Sequence, residues 1–160
     1  MTTSSASPSF AARRDWLALL AGMPRDELER SLEQALAGAP APGYDWLRPP
    51  ETGLAMVRGR IGGTGDPFNL GEASVTRAVL RLAHDGAPTV LGIAYQLGRD
   101  KRRAELAALA DALLQLPAYR ARVEAQVIAP YRARLAQRRA ARARDAAATR
   151  VEFFTMVRGE

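Results

Sequence analysis

Read from its N-terminus, the chain first shows helical spacing. Trp16, Leu17, Leu19 and Leu20 cluster ahead of Gly22, a natural stop, and predict a short helix from Phe10. Pro24 is placed for an N-terminal turn, and Asp26 and Glu27 follow where a helix dipole favours carboxylates. Leu28, Leu32 and Leu36 then repeat every fourth residue, one stripe of an amphipathic helix closing near Ala37. Gly38-Ala-Pro-Ala-Pro-Gly43 breaks that pattern. The period then shortens. Leu54–Ile61, Ala73–Leu82 and Thr89–Leu97 are strand-like runs bounded by glycine and turn signals. In the second run Thr76, Ala78, Leu80 and Leu82 fall on one face and Val75, Arg77, Val79 and Arg81 on the other. One face is thus a core face and the other semi-polar, as suits an antiparallel sheet with helices on one side. His84-Asp-Gly-Ala-Pro88 predicts a hairpin between the last two runs, and Pro49-Pro50 argues against a long central strand before residue 51.

Helical spacing returns after Gly98. Asp100 is placed to N-cap a helix over Lys101–Gln115, with Leu106, Leu109, Leu113 and Leu114 as its buried stripe. Pro117 ends or kinks it. Tyr119, Val123, Val127, Tyr131 and Leu135 follow at intervals of four and predict a further helix. An interior proline costs about 3 kcal/mol, so Pro130 predicts a kink or a restart there. Beyond Leu135 the chain is almost wholly alanine and arginine, prone to helix but with little to bury, until the apolar, β-prone finish at residues 149–160. The pattern predicts an α+β fold. An antiparallel sheet of three to five strands packs against helices, with an N-terminal helical pair and a long, kinked C-terminal helix. Residues 1–9 read as a disordered leader and 10–160 as a single domain: a helical pair (10–37), a sheet region (51–97), helices (100–148) and the apolar C-terminal segment (149–160). In that last segment Phe153, Phe154, Met156 and Val157 are candidates for subunit docking, because two exposed phenylalanines would forfeit about 1.5–3 kcal/mol each. They return to this chain's own sheet as a strand or dock on a neighbour.

Composition narrows the chemistry. Hydrophobic residues make up 48% of 160, and no apolar run approaches the ~20 residues of a membrane span. The polar N-terminus lacks the order of a signal peptide, so a cytoplasmic location is expected. There is no cysteine and a single histidine, His84 in a turn-like stretch. The inventory therefore rules out thiolate nucleophiles, disulfides and iron–sulfur clusters, and no intrinsic metal site or bound cofactor is expected. The net charge of +6 is local. Residues 1–117 hold 13 basic and 13 acidic side chains, whereas 118–150 hold nine arginines against Glu124 and Asp145. That run reads as a solvated helix face, or as a binder of acidic partners or nucleic acid. Its sparse aromatics, Tyr119 and Tyr131, weaken a single-strand-binding reading.

The most unusual segment runs from Arg58 to Glu72. Gly62, Gly63 and Gly65, with the Thr64 hydroxyl, can turn backbone donors toward an anion, while Arg58 and Arg60 supply bidentate charge. The alternative is a strand-connecting loop whose glycines serve only tight turns; the lysine-bearing P-loop pattern is absent. Arg99 opens a second basic cluster, through Arg103, at a helix N-terminus, where anions are also favoured; the alternative is a capped helix with a solvated basic first turn. Asp66 and Glu72 flank the glycines and offer two carboxylates for acid–base work; the alternative is that Asp66-Pro67 simply starts a turn. No catalytic residue is assignable.

Several blocks, in order, resemble one family. They are Glu51-Thr-Gly-Leu, Gly62-Gly-Thr-Gly65, Gly71-Glu-Ala, Leu97-Gly-Arg-Asp-Lys101, Asp111-Ala-Leu-Leu and Arg150-Val-Glu-Phe-Phe-Thr-Met-Val-Arg-Gly159. Together they resemble the G-subunit family of the carbon–phosphorus lyase core complex. The resemblance implies a cytoplasmic assembly with subunits H, I and J and, functionally, an L protein. It also implies a role in forming ribose 1-methylphosphonate 5-triphosphate from ATP and methylphosphonate, with release of adenine. ATP would then be a substrate of the complex rather than a cofactor of this chain. The alternatives are a basic nucleic-acid-binding or regulatory protein and a stand-alone phosphotransferase. Charge confinement disfavours the first and the missing P-loop the second.

Overall fold

The computed structural model describes residues 9–37, 42–82 and 89–148. The leader before Ser9, most of the Gly38–Gly43 linker, the turn with His84 and the C-terminal segment with Phe153, Phe154, Met156 and Val157 lie outside the described residues.

Helix α1 (Phe10–Gly22) begins at Ser9, whose Oγ accepts from the Ala12 amide at 3.2 Å. Helix α2 (Arg25–Leu36) follows Pro24, buries Leu28, Leu32, Ala35 and Leu36, and closes at Ala37 in the left-handed region. Three strands, β1 (Tyr44–Arg60), β2 (Pro67–Leu82) and β3 (Val90–Leu97), form an antiparallel sheet in the order β1-β2-β3. Thr76, Ala78, Leu80 and Leu82 all face the core, as their alternation predicts. The sheet begins earlier than the predicted 51–97 region, because β1 carries Pro49-Pro50 within it. Two features permit this. β1 is an edge strand, and its pairing with β2 slips between Trp46 and Arg48 and again between Arg48 and Glu51. Prolines are tolerated at such edges and bulges, where no ladder hydrogen bond is lost.

Helix α3 (Lys101–Gln115) has the predicted bounds, with Asp100 Oδ1 accepting from the Arg103 amide at 2.9 Å. It is buried around nearly its whole circumference, not along one stripe. The sheet lies on one side, and α1, α2 and α4 (Pro117–Val123) flank it elsewhere. Its alanines allow close approach: a Cβ on Gly92 of β3 would stand 2.1 Å from the Ala108 carbonyl oxygen. Asp111, fully enclosed in this helix, accepts from Arg13 Nη2 (2.7 Å), Trp16 Nε1 (2.8 Å) and the Ile93 amide (3.0 Å). One carboxylate thereby ties α1, α3 and β3 together, its lone pairs satisfied as a buried charge requires.

The last helical stretch meets Pro130 without breaking. Residues Glu124–Ile128 form a π-turn between α4 and α5 (Ala129–Ala148), and the Ala129 amide donates to Glu124 five residues back. The wider turn makes room for the proline ring directly after it. Tyr131 is then buried, its hydroxyl donating to the Gly22 carbonyl at 2.7 Å.

Candidate functional site

Beyond Ser74 the sheet has only two strands. β3 ends where Leu97 meets Val75 and the Gly98 amide donates to the Ser74 carbonyl. β1 and β2 run on together to Arg60 and Pro67, about 23 Å further at ~3.3 Å per residue, as an arm free of the body. Leu54, Met56, Val57, Phe68 and Leu70 lie exposed along it, with Ile61 76% exposed at its tip. An isolated two-stranded ribbon is marginal in water, and contiguous exposed apolar surface marks an interaction site.

The tip is the glycine segment. Ile61–Gly63 make one 3₁₀ turn, with Gly62 and Gly63 at φ 62° and 79°. The Thr64 and Gly65 amides both donate to the Ile61 carbonyl, so two of the expected anion donors are spent within the turn. What remains is cationic. Arg58 and Arg60, two residues apart on one face, border a shallow depression of about 460 Å³ with Gly59, Gly63 and Pro67. Arg60 donates to the Gly65 carbonyl at 3.0 Å, while Arg58 has no partner among the described residues. Thr64 sits in the turn without reaching this depression. Two guanidinium groups at one spot, one of them engaged by a single carbonyl, suit a phosphate-like oxyanion.

The other sequence-level candidates separate. Arg99 lies at the base of the arm, with Nε donating to Ser74 Oγ at 3.3 Å, roughly 23 Å along β2 from the tip. Asp66 is in the tip turn, whereas Glu72 pairs with Met56 six residues away along the strand, so the two carboxylates do not form an acid–base pair. The arginine run is partly neutralised: Arg132 pairs with Glu124 at 2.9 Å and Arg134 with Glu27. The Arg134 and Arg122 guanidiniums lie over the Tyr131 and Tyr119 rings, leaving neither as a free stacking platform. Among the described residues no three His, Cys, Asp or Glu side chains gather as metal ligands, and no helix is long and apolar enough to cross a membrane.

Sequence reasoning missed the outer sheet face. Gly53, Ala55 and Val75 floor a trough of about 460 Å³ walled by Arg77, Tyr95 and Leu97, with no helix over it among the described residues. The signal was present in Tyr95 and Leu97, which alternate outward from a run in which Gly92, Ala94 and Gln96 are buried. Beside the trough, Glu51 accepts from Arg48 (2.6 Å) and Arg77 (2.7 Å), and these bonds hold its carboxyl below the ordinary range.

The family of phosphonate metabolism protein PhnG matches residues 11–159. The chain belongs to the PhnG family. A relative in that family from Rhizobium meliloti (strain 1021) is named alpha-D-ribose 1-methylphosphonate 5-triphosphate synthase subunit PhnG. It is 49% identical over 150 residues, covering 94% of this chain and 91% of the relative. PhnG membership thus extends across α1 to α5, including the arm, the basic tip and the open face of the sheet.

Proposed function

We propose that this chain is the G subunit of a carbon–phosphorus lyase assembly and acts only within it. There it supports formation of ribose 1-methylphosphonate 5-triphosphate from ATP and methylphosphonate, with release of adenine. The observation that carries this reading is the near full-length likeness to a named synthase subunit. The fold supports it: the arm presents a run of exposed apolar side chains suited to being covered by a partner. In this reading the partners are the H, I and J subunits and, functionally, the L protein, in the cytoplasm. ATP enters as substrate of the assembly, and this chain binds no cofactor of its own. Arg58 and Arg60, framed by Gly62, Gly63, Thr64 and Gly65, carry positive charge toward the phosphate-bearing substrates or a partner's carboxylates. Arg99 does the same at the arm's base, and Phe153, Phe154, Met156 and Val157 dock on a neighbouring subunit.

The test is reconstitution with and without this chain, following adenine by chromatography and the phosphonate ester by ³¹P NMR. The isolated chain should show no turnover, and omitting it should lower the assembly's rate by at least about tenfold, 1.4 kcal/mol of barrier. Adenine release by the chain alone, or an undiminished rate without it, would overturn the reading.

A further inference from the structure

The free edge of β3 is open along only half its length. In this strand the even residues pair with β2, and the next even residue, Gly98, continues the ladder through its amide to Ser74. The odd residues therefore turn their backbone groups outward. At the start of the strand these groups are closed off: the Leu91 carbonyl accepts from Arg13 (2.8 Å) and Gln115 (2.8 Å), and the Ile93 amide donates to Asp111. From the Ile93 carbonyl to the Leu97 amide no such partner exists among the described residues. Native edges are usually blunted by lysine, proline, a bulge or a covering element. This half carries instead Tyr95 and Leu97, 61% and 72% exposed.

Beside this half-edge lies a recess of about 170 Å³, lined by Leu17 and Ala21 of α1, Ala94 and Gln96 of β3 and Ala107 of α3. Gln96 is 1% exposed; its amide nitrogen donates to the Leu20 carbonyl, but its Oε1, buried, has no partner among the described residues. An edge with unused backbone groups, an apolar recess beside it and an unsatisfied acceptor in the recess wall is a receptor for an extended polypeptide. Its charge selects among polypeptides. Tyr95 stands opposite Arg77, which shares Glu51 with Arg48, and Arg99 at the end of the edge has no ion pair among the described residues. The surround is net positive.

We propose that residues Ile93–Leu97 receive an added strand from another subunit of the assembly. That strand is apolar where it enters the recess and carries a carboxylate facing Arg77 or Arg99. This rests on the reading of the chain as a subunit. The added strand would complete a four-stranded sheet and shelter Tyr95 and Leu97.

Amide hydrogen exchange on the full chain, alone and in the affinity-purified assembly, tests the proposal. The Tyr95 and Leu97 amides should exchange quickly in the free chain and slow by roughly a hundredfold in the assembly. The Ile93 amide, already bonded to Asp111, should be slow in both and serves as the control. Slow Tyr95 and Leu97 amides in the free chain that become fast on deletion of residues 149–160 would assign the edge to this chain's own segment and overturn the proposal. Protection that grows with concentration of the free chain would assign it to a second copy, with the same result. Fast exchange within an intact assembly would sink the edge while leaving the subunit reading standing; failure of any assembly to form around the wild-type chain would sink that reading itself. In parallel, Tyr95→Pro removes an outward donor without touching the β2 ladder and should cut recovery of the other subunits by about tenfold at unchanged circular dichroism. Undiminished recovery with that variant counts against the proposal. Should the variant not fold, the exchange measurement on the wild-type chain decides.

Discussion

At Gly92 strand and helix come closer than any side chain allows. A methyl group there would press on the Ala108 carbonyl and on the Ala112 Cβ, and backbone cannot rotate aside as a side-chain tip can. Gly92→Ala should therefore cost about 3 kcal/mol and lower Tm by roughly 10 °C in a thermal melt, whereas alanine at Gly53, where nothing lies within 4 Å, should be mild. Tyr44 offers a residue-level reading of pH. Burial, then its bond to Glu105 at 2.8 Å, raises its pKa from 10.0 to about 12. The contribution is intact below the unfolded value near 10 and is lost as pH rises through about 12. Ultraviolet titration should show Tyr44 ionising after an unperturbed tyrosine, and Glu105→Gln should move it downward. Asp111 was visible in the sequence as one of the family-like blocks, yet its task was not. A carboxylate in an alanine–leucine helix looks like a polar interruption until Arg13 and Trp16, nearly a hundred positions earlier, are brought against it. No local pattern carries that information.

At the scale of elements, what the sequence announced well was what local chemistry decides. Asp100 caps α3, Gly22 is the last residue of α1, and the alternation in β2 puts the expected four residues inside. What it hid depended on neighbours. The first half of β1 looked barred by Pro49-Pro50 because periodicity does not reveal that a strand lies at an edge. The all-round burial of α3 likewise needed knowledge of three flanking helices. The glycine segment kept two readings open, and the structure favours neither outright: the turn consumes two amides, and the adjacent arginines stay available. Gly63→Val decides between them. At φ 79° a β-branched residue is strained by about 1–2 kcal/mol, too little to unfold the body from an exposed tip. Circular dichroism should be unchanged while the assembly's triphosphate-forming rate falls about tenfold. A normal rate would leave the glycines a turn-forming role alone.

For the whole molecule, the docking expectation at Phe153, Phe154, Met156 and Val157 has its own test. Deleting residues 151–160 should weaken recovery of the other core subunits in a pull-down at equal expression by about tenfold. Equal recovery and activity would show those residues to be dispensable. The arm carries a different consequence. Among the described residues its strands rest on no helix beyond Ser74, which leaves the bonds that hold it open to water on both faces. Such a segment can open without the body opening. A free subunit would then be two materials in one chain, a rigid block joined to a compliant filament. Assembly sets the filament, much as a casting takes the form of its mould. The arm's final shape would be written in part by the surfaces that receive it, and subunits made in excess of their partners would be marked by that unset filament for proteolysis.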